Sequence, residues 1–91
     1  MPMPSLVEDL GVTIRQLRMQ QGLSQEQLAE RSELNRSYVG EVERGQVVAS
    51  IVTLQKLAVA LDTNAAGLLV RCEHVEQHRH AQFVNLAAIA R

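Results

Sequence analysis

Helix-start signals recur along this chain at Ser24, Asn35, Ser50 and Asn64, and no other feature limits its fold so tightly. Ser and Asn at these points accept hydrogen bonds from the N–H groups that the first turn of a helix leaves unpaired. Ser24 is followed three residues later by Gln27, a capping-box pattern. Each signal precedes a short apolar pattern. A chain punctuated this often reads as short helices joined by tight turns.

Apolar spacing then places the helices. Val7, Leu10, Ile14 and Leu17 share one helical face, which ends near Gly22. Gly11 leaves the start of this helix open, either ahead of that residue or only after it. A second helix is expected from Gln25 to Arg31 with Leu28 and Ala29 inward, then a turn at Ser32-Glu33-Leu34. Asn35 opens a third, Arg36 to about Arg44, with Val39 and Val42 inward and Gly45 as its stop. After Ser50, the residues Ile51, Leu54, Leu57, Ala58 and Leu61 make the cleanest apolar stripe, broken at Asp62 to Asn64. A fifth helix carries Leu68 and Leu69. Polar residues dominate from Arg71 to Gln82, and Phe83, Val84, Leu86, Ala87 and Ile89 form a last apolar run suited to a C-terminal helix. Phe83 and Tyr38 are the only aromatics, which favours helices over a β-sandwich. The fold class is therefore all-α, with five helices in residues 1–70 and an extension over 71–91.

At 91 residues the chain holds one domain with a modest core. Its single cysteine, Cys72, rules out a disulfide within the chain and fits a reducing cytoplasm. No apolar run approaches the ~18 residues of a membrane span, and MPMPSLVEDL lacks the basic-then-apolar order of a signal peptide. A cytoplasmic protein with no membrane partner is expected. Cys72, His74, His78 and His80 make a tempting cluster, since His74 and His78 share a helical face. Their spacing matches no zinc module, so a solvated segment is the better reading, and neither metal nor cofactor is expected. No nucleophile–base pair or phosphate-binding glycine loop is present in sequence, so an enzyme is not expected.

The functional signal lies in the second and third helices. Two short helices joined by a tight turn form a helix-turn-helix unit. The spacing puts Gln25 at one helix start and Arg36-Ser37 at the next, so both ends can face one DNA backbone, with the second helix in the major groove. Arg can hold guanine O6 and N7 together, and Ser can reach a base or a phosphate. A Gln at a helix start can hold a phosphate, helped by free backbone N–H groups. Gly40 removes bulk one turn into the third helix. Each has a plainer reading: a solvated Arg36, a Ser37 or Gln25 that merely starts a helix, a Tyr38 packed on the scaffold. The net charge of −1 means that DNA binding must rest on placed groups and not on bulk charge.

The runs IRQLR at 14–18, GLSQEQLA at 22–29, NRSYVGEVERG at 35–45 and S-x-x-T-L-x-K-L-A-x-A-L at 50–61 resemble the phage-repressor and Cro-like (XRE-type) helix-turn-helix family. The resemblance covers roughly residues 10–70. The run RSYVGEVERGQ is most similar to the small controller proteins of restriction–modification systems. It implies a lambda-repressor-like fold and a homodimeric regulator of transcription, reading a pseudo-palindromic operator and acting on its own gene. It implies base contacts from Arg36, Ser37, Tyr38 and Glu41, and phosphate contacts from Ser24, Gln25, Asn35, Arg44 and Gln46. It further implies a structural, mostly buried salt bridge between Arg18 and Glu43. The dimer surface is expected on the fourth and fifth helices, near Leu61 to Leu69, with the tail as a second candidate, and RNA polymerase is a further candidate partner. Two departures stand out. Glu33 occupies the turn position where the family usually has Gly, at about 1–2 kcal/mol if the backbone there is left-handed. Glu41 brings a negative charge to a reading position, where it could accept from cytosine N4. Residues 22–45 hold three Arg against five Glu. Two other readings stand beside the regulator. One is an antitoxin that also binds a toxin through the tail from Arg71. The other is a protein-interaction adaptor that keeps the fold without DNA binding.

Overall fold

Five helices follow one another: α1 (Leu6–Gln20), α2 (Gln25–Ser32), α3 (Arg36–Glu43), α4 (Ile51–Ala60) and α5 (Ala65–Ile89). The computed structural model describes the backbone of residues 5–89 and the side chains of residues 5–78 and 81, with no strand among them. α1 packs on α5 and α3, α2 lies against α3 and α4, and α4 meets α5. Ile14, Leu28, Val39, Leu57 and Leu68, one from each helix, are fully buried at the centre. Each such side chain contributes about 1.5–3 kcal/mol by leaving water.

The cap residues do what their chemistry dictates. Ser24 Oγ accepts from Gln27 N at 3.0 Å while Gln27 Oε1 accepts from Ser24 N at 2.8 Å, a complete capping box. Asn35 Oδ1 accepts from Ser37 N at 2.8 Å, Ser50 Oγ from Thr53 N at 3.1 Å and Asn64 Oδ1 from Gly67 N at 2.7 Å.

The first helix takes the earlier of the two starts that the sequence leaves open. It starts at Leu6, capped by Ser5, and runs through Gly11. Gly11 is there for packing: a Cβ at that position would lie 2.5 Å from Val42 O and 2.6 Å from Glu43 O. Only glycine lets α1 cross the end of α3 so closely. α2 includes Ser32, whose hydroxyl donates back to Leu28 O at 2.7 Å, so the turn narrows to Glu33, Leu34 and Asn35. Glu33 adopts the left-handed conformation, φ 57° and ψ 40°. α3 ends at Glu43, with Arg44 as its C-cap.

Two positions assigned to inner stripes face out. Ile51 is 82% exposed and Leu69 is 38% exposed, although both sit at core-like spacings. Where polar residues begin to dominate at Arg71, α5 continues unbroken, from Ala65 to Ile89. The reason is visible at Cys72, four residues past Leu68: it is fully buried and carries the inner stripe onward as a small apolar side chain. No Gly or Pro interrupts the run from Leu68 to Ile89. Phe83, Val84, Leu86 and Ala87 fall outside the described side chains.

Candidate nucleic-acid interface

The frame of the site is an ion pair. Arg18 near the end of α1 donates from Nε to Glu43 Oε2 at 2.7 Å and from Nη2 to Glu43 Oε1 at 3.0 Å. Its Nη1 donates to Leu23 O at 2.9 Å. The Glu43 side chain is only 3% exposed and that of Arg18 13%. Parallel N–H bonds to a carboxylate fix distance and angle together. Gln25 adds a third bond to the carboxylate, from Nε2 to Glu43 Oε1 at 3.1 Å. The amide orientation is forced, because a carboxylate has no proton to give. One buried carboxylate thus ties the end of α1, the first residue of α2 and the end of α3.

That frame sets the start of α2 beside the exposed stripe of α3. Gln25, Arg36, Ser37, Gly40, Glu41, Arg44 and Gln46 line one shallow polar concavity of about 500 Å³. On α3 the contributors are spaced i, i+1, i+4, i+5 and i+8 from Arg36, which is one side of a helix. The opposite side buries Val39 and Val42.

The expected site residues fall into three groups. Arg36, Ser37, Glu41, Gln25, Arg44 and Gln46 come together in the concavity. Ser24 and Asn35 stand at its edge as the caps of α2 and α3, with their side-chain oxygens engaged there. Tyr38 is turned off the stripe, half-buried and packed against the core. Gly40 is not an open notch. The Arg44 guanidinium lies over it, with Nη1 3.0 Å from where a Cβ would stand. Arg44 Nε in turn donates to Gln46 Oε1 at 3.1 Å. Reading by spacing missed this contact because it depends on a reversal of the chain at Gly45, φ 71°.

A second surface lies away from the concavity. Ile51, Val52, Val59 and Val70 are 50–82% exposed, and Ile51, Gln55, Val59, Ala65 and Ala66 border a shallow depression between α4 and α5. Within the stretch Leu61 to Leu69 expected near the dimer surface, Leu61 and Leu68 are inside the core at 2% and 0% exposure, whereas Leu69 is 38% exposed.

Known proteins share this fold. The helix-turn-helix family profile matches residues 14–68. The control protein C.SmaI of Serratia marcescens is 47% identical over 64 residues, covering 70% of this chain and 76% of that protein. The crystal structure of the restriction–modification controller protein C.AhdI from Aeromonas hydrophila superposes with a TM-score of 0.65 at 54% identity, covering 69% of this chain and 94% of that one. The controller protein C.Esp1396I, solved as a tetramer in complex with its natural 35-base-pair operator, superposes at 0.68 with 25% identity, covering 77% of this chain and 96% of that one. The chain belongs to the helix-turn-helix family, which it shares with the restriction–modification controller proteins.

Proposed function

We propose that the protein is a sequence-specific, autoregulatory transcriptional regulator that binds its operator as a homodimer. The observation that carries this reading is the concavity that gathers Gln25, Arg36, Ser37, Glu41, Arg44 and Gln46 on the exposed side of α3. α3 enters the major groove. Arg36 takes guanine O6 and N7, Ser37 reaches a base edge, Glu41 accepts from cytosine N4, and Tyr38 at the flank meets a thymine methyl or a phosphate. Ser24, Gln25, Asn35, Arg44 and Gln46 meet the backbone, and the Gln25 amide keeps one N–H free beside its bond to Glu43.

Residues 1–70 carry DNA binding, and residues 71–91 extend the surface available to a second copy. Dimerisation uses the exposed Ile51, Val59 and Val70, where a helical apolar face would otherwise stay in water. Two recognition helices about 34 Å apart then read a pseudo-palindrome. The operator's position relative to the promoter decides whether RNA polymerase is blocked or recruited. The similarity to control proteins favours this reading over one centred on a toxin partner. The setting is cytoplasmic, and no helix among the described residues is long and apolar enough to cross a membrane.

Selection from a random duplex library tests the proposal. It predicts an enriched motif with two-fold symmetry and half-sites one helical turn apart. Enrichment of no motif, or of one without symmetry, contradicts it.

A further inference from the structure

Arg44 is exposed, and an exposed arginine ordinarily samples many rotamers before it meets a partner. Here it is held in two ways. Below it, Gly40 leaves the guanidinium room to lie close against α3, with Nη1, Cζ and Nη2 at 3.0, 3.6 and 3.6 Å from the position of a Cβ. Beside it, Gln46 Oε1 accepts the Nε–H at 3.1 Å. Gln46 is delivered there by the end of α3: Gly45 N donates to Val42 O at 3.0 Å and Gln46 N to Glu41 O at 2.9 Å, which folds the chain back alongside the helix. With Nε–H occupied, the edge formed by Nη1 and Nη2 remains for a two-oxygen partner, and a phosphate fits that fork.

We propose that Gly40 and Gln46 are positioning residues that form a seat for Arg44, presetting its guanidinium for a DNA phosphate. This rests on the assignment of the concavity to DNA and adds the reason why α3 carries a glycine in its middle. Gly at a helix interior is unfavourable relative to Ala, so the position gives up helix stability to keep the seat open. An alanine there must displace the guanidinium by a few tenths of an ångström, and a flexible side chain yields readily.

The experiment is a double-mutant cycle in the full chain, combining Gly40→Ala and Gln46→Ala each with Arg44→Ala. Binding to the selected operator and to a scrambled duplex is followed by fluorescence anisotropy across a salt series. The seat predicts that G40A and Q46A each weaken binding to both duplexes by a similar factor, up to about tenfold. The salt slope should shrink toward the loss of about 0.9 that one missing phosphate contact gives. In the R44A background neither change should matter further, and G40A should unfold at a temperature no lower than the parent. If G40A weakens binding equally in the R44A background, its methyl obstructs DNA directly and the seat is wrong. Unchanged binding in both single variants also overturns it. NMR of the Arg44 Nε–H in the free protein reads the seat without DNA. Slow exchange that is lost in Q46A supports it, and rapid exchange in the parent refutes it. Absence of any operator preference, with the seat intact by NMR, would instead count against the base-reading assignment.

Discussion

Gly11 and Glu33 show how differently two residues can depart from a helical pattern. Gly11 looks in sequence like a helix breaker, yet its lack of a Cβ is what lets α1 touch the backbone of Val42 and Glu43. Nothing local in the sequence carries that information, because the neighbour lies some thirty residues away. Gly11→Ala should therefore destabilise the fold by about 3 kcal/mol, the upper end for overpacking, as measured by urea denaturation. Glu33 was legible as a departure from its family. Its left-handed φ of 57° is the conformation that L-residues resist, and its side chain is exposed. Glu33→Gly should stabilise by about 0.5–1 kcal/mol, after allowing for the extra freedom glycine gains in the unfolded chain. A drop in stability would show that the glutamate side chain contributes more than its backbone loses. Glu43 stands at the other extreme. Its carboxylate takes three hydrogen bonds while almost wholly buried. Glu43→Ala strands the Arg18 guanidinium, at about 3–5 kcal/mol. The pairing of Arg18 with Glu43 came from family resemblance, and the added bond from Gln25 came only from the structure.

At the level of elements, the caps and the inner faces of α2 and α3 followed from sequence because they are short-range. A cap bonds to a residue two or three positions away, and Leu28, Ala29, Val39 and Val42 need only a helical period to be placed inside. The limits of the same reasoning appear at Ile51 and along α5. Spacing puts Ile51 on the α4 stripe, but it occupies the first turn, beyond the edge of the core. Spacing also loses α5 at Arg71, where polar residues outnumber apolar ones, although Cys72 is buried and bonded to Thr13 of α1. The Cys72 thiol is held above its ordinary value of 9.0, chiefly because burial disfavours the thiolate, while a hydrogen bond with Thr13 opposes the rise. The folded chain therefore retains a proton that the unfolded chain releases. This contribution to stability is complete below pH 9 and fades as the pH climbs through and above the ordinary thiol range. Urea midpoints at pH 7 and pH 10 should differ less in Cys72→Ala than in the parent, because the parent loses more stability over that interval. An equal loss in both would mean that the thiol does not titrate differently on unfolding.

For the whole molecule the question is how a chain of net charge −1 holds DNA. In the proposed function the answer is a few oriented groups on one side and an apolar face on another, so that a second copy adds a second half-site. Ile51 and Val59, 82% and 66% exposed, are central to the second face. Val59→Glu should yield a folded monomer by analytical ultracentrifugation and weaken operator binding at least tenfold, since a dimer of repelling faces forfeits the second half-site. A variant that stays dimeric would move the interface elsewhere, with the extension after residue 70 the next region to change. In sequence a dimer face could be anticipated from the family but not its residues: the stretch Leu61 to Leu69 expected to hold it includes Leu61 and Leu68, which are buried in the core. Base reading by α3 is tested by comparing Arg36→Ala with the parent on DNA from just upstream of the gene and on a scrambled duplex, at two salt concentrations. The parent should prefer the upstream DNA by orders of magnitude, and the mutant should lose that preference while keeping the weak, salt-sensitive binding both duplexes share. A mutant that retains the parent's preference would contradict base reading by α3.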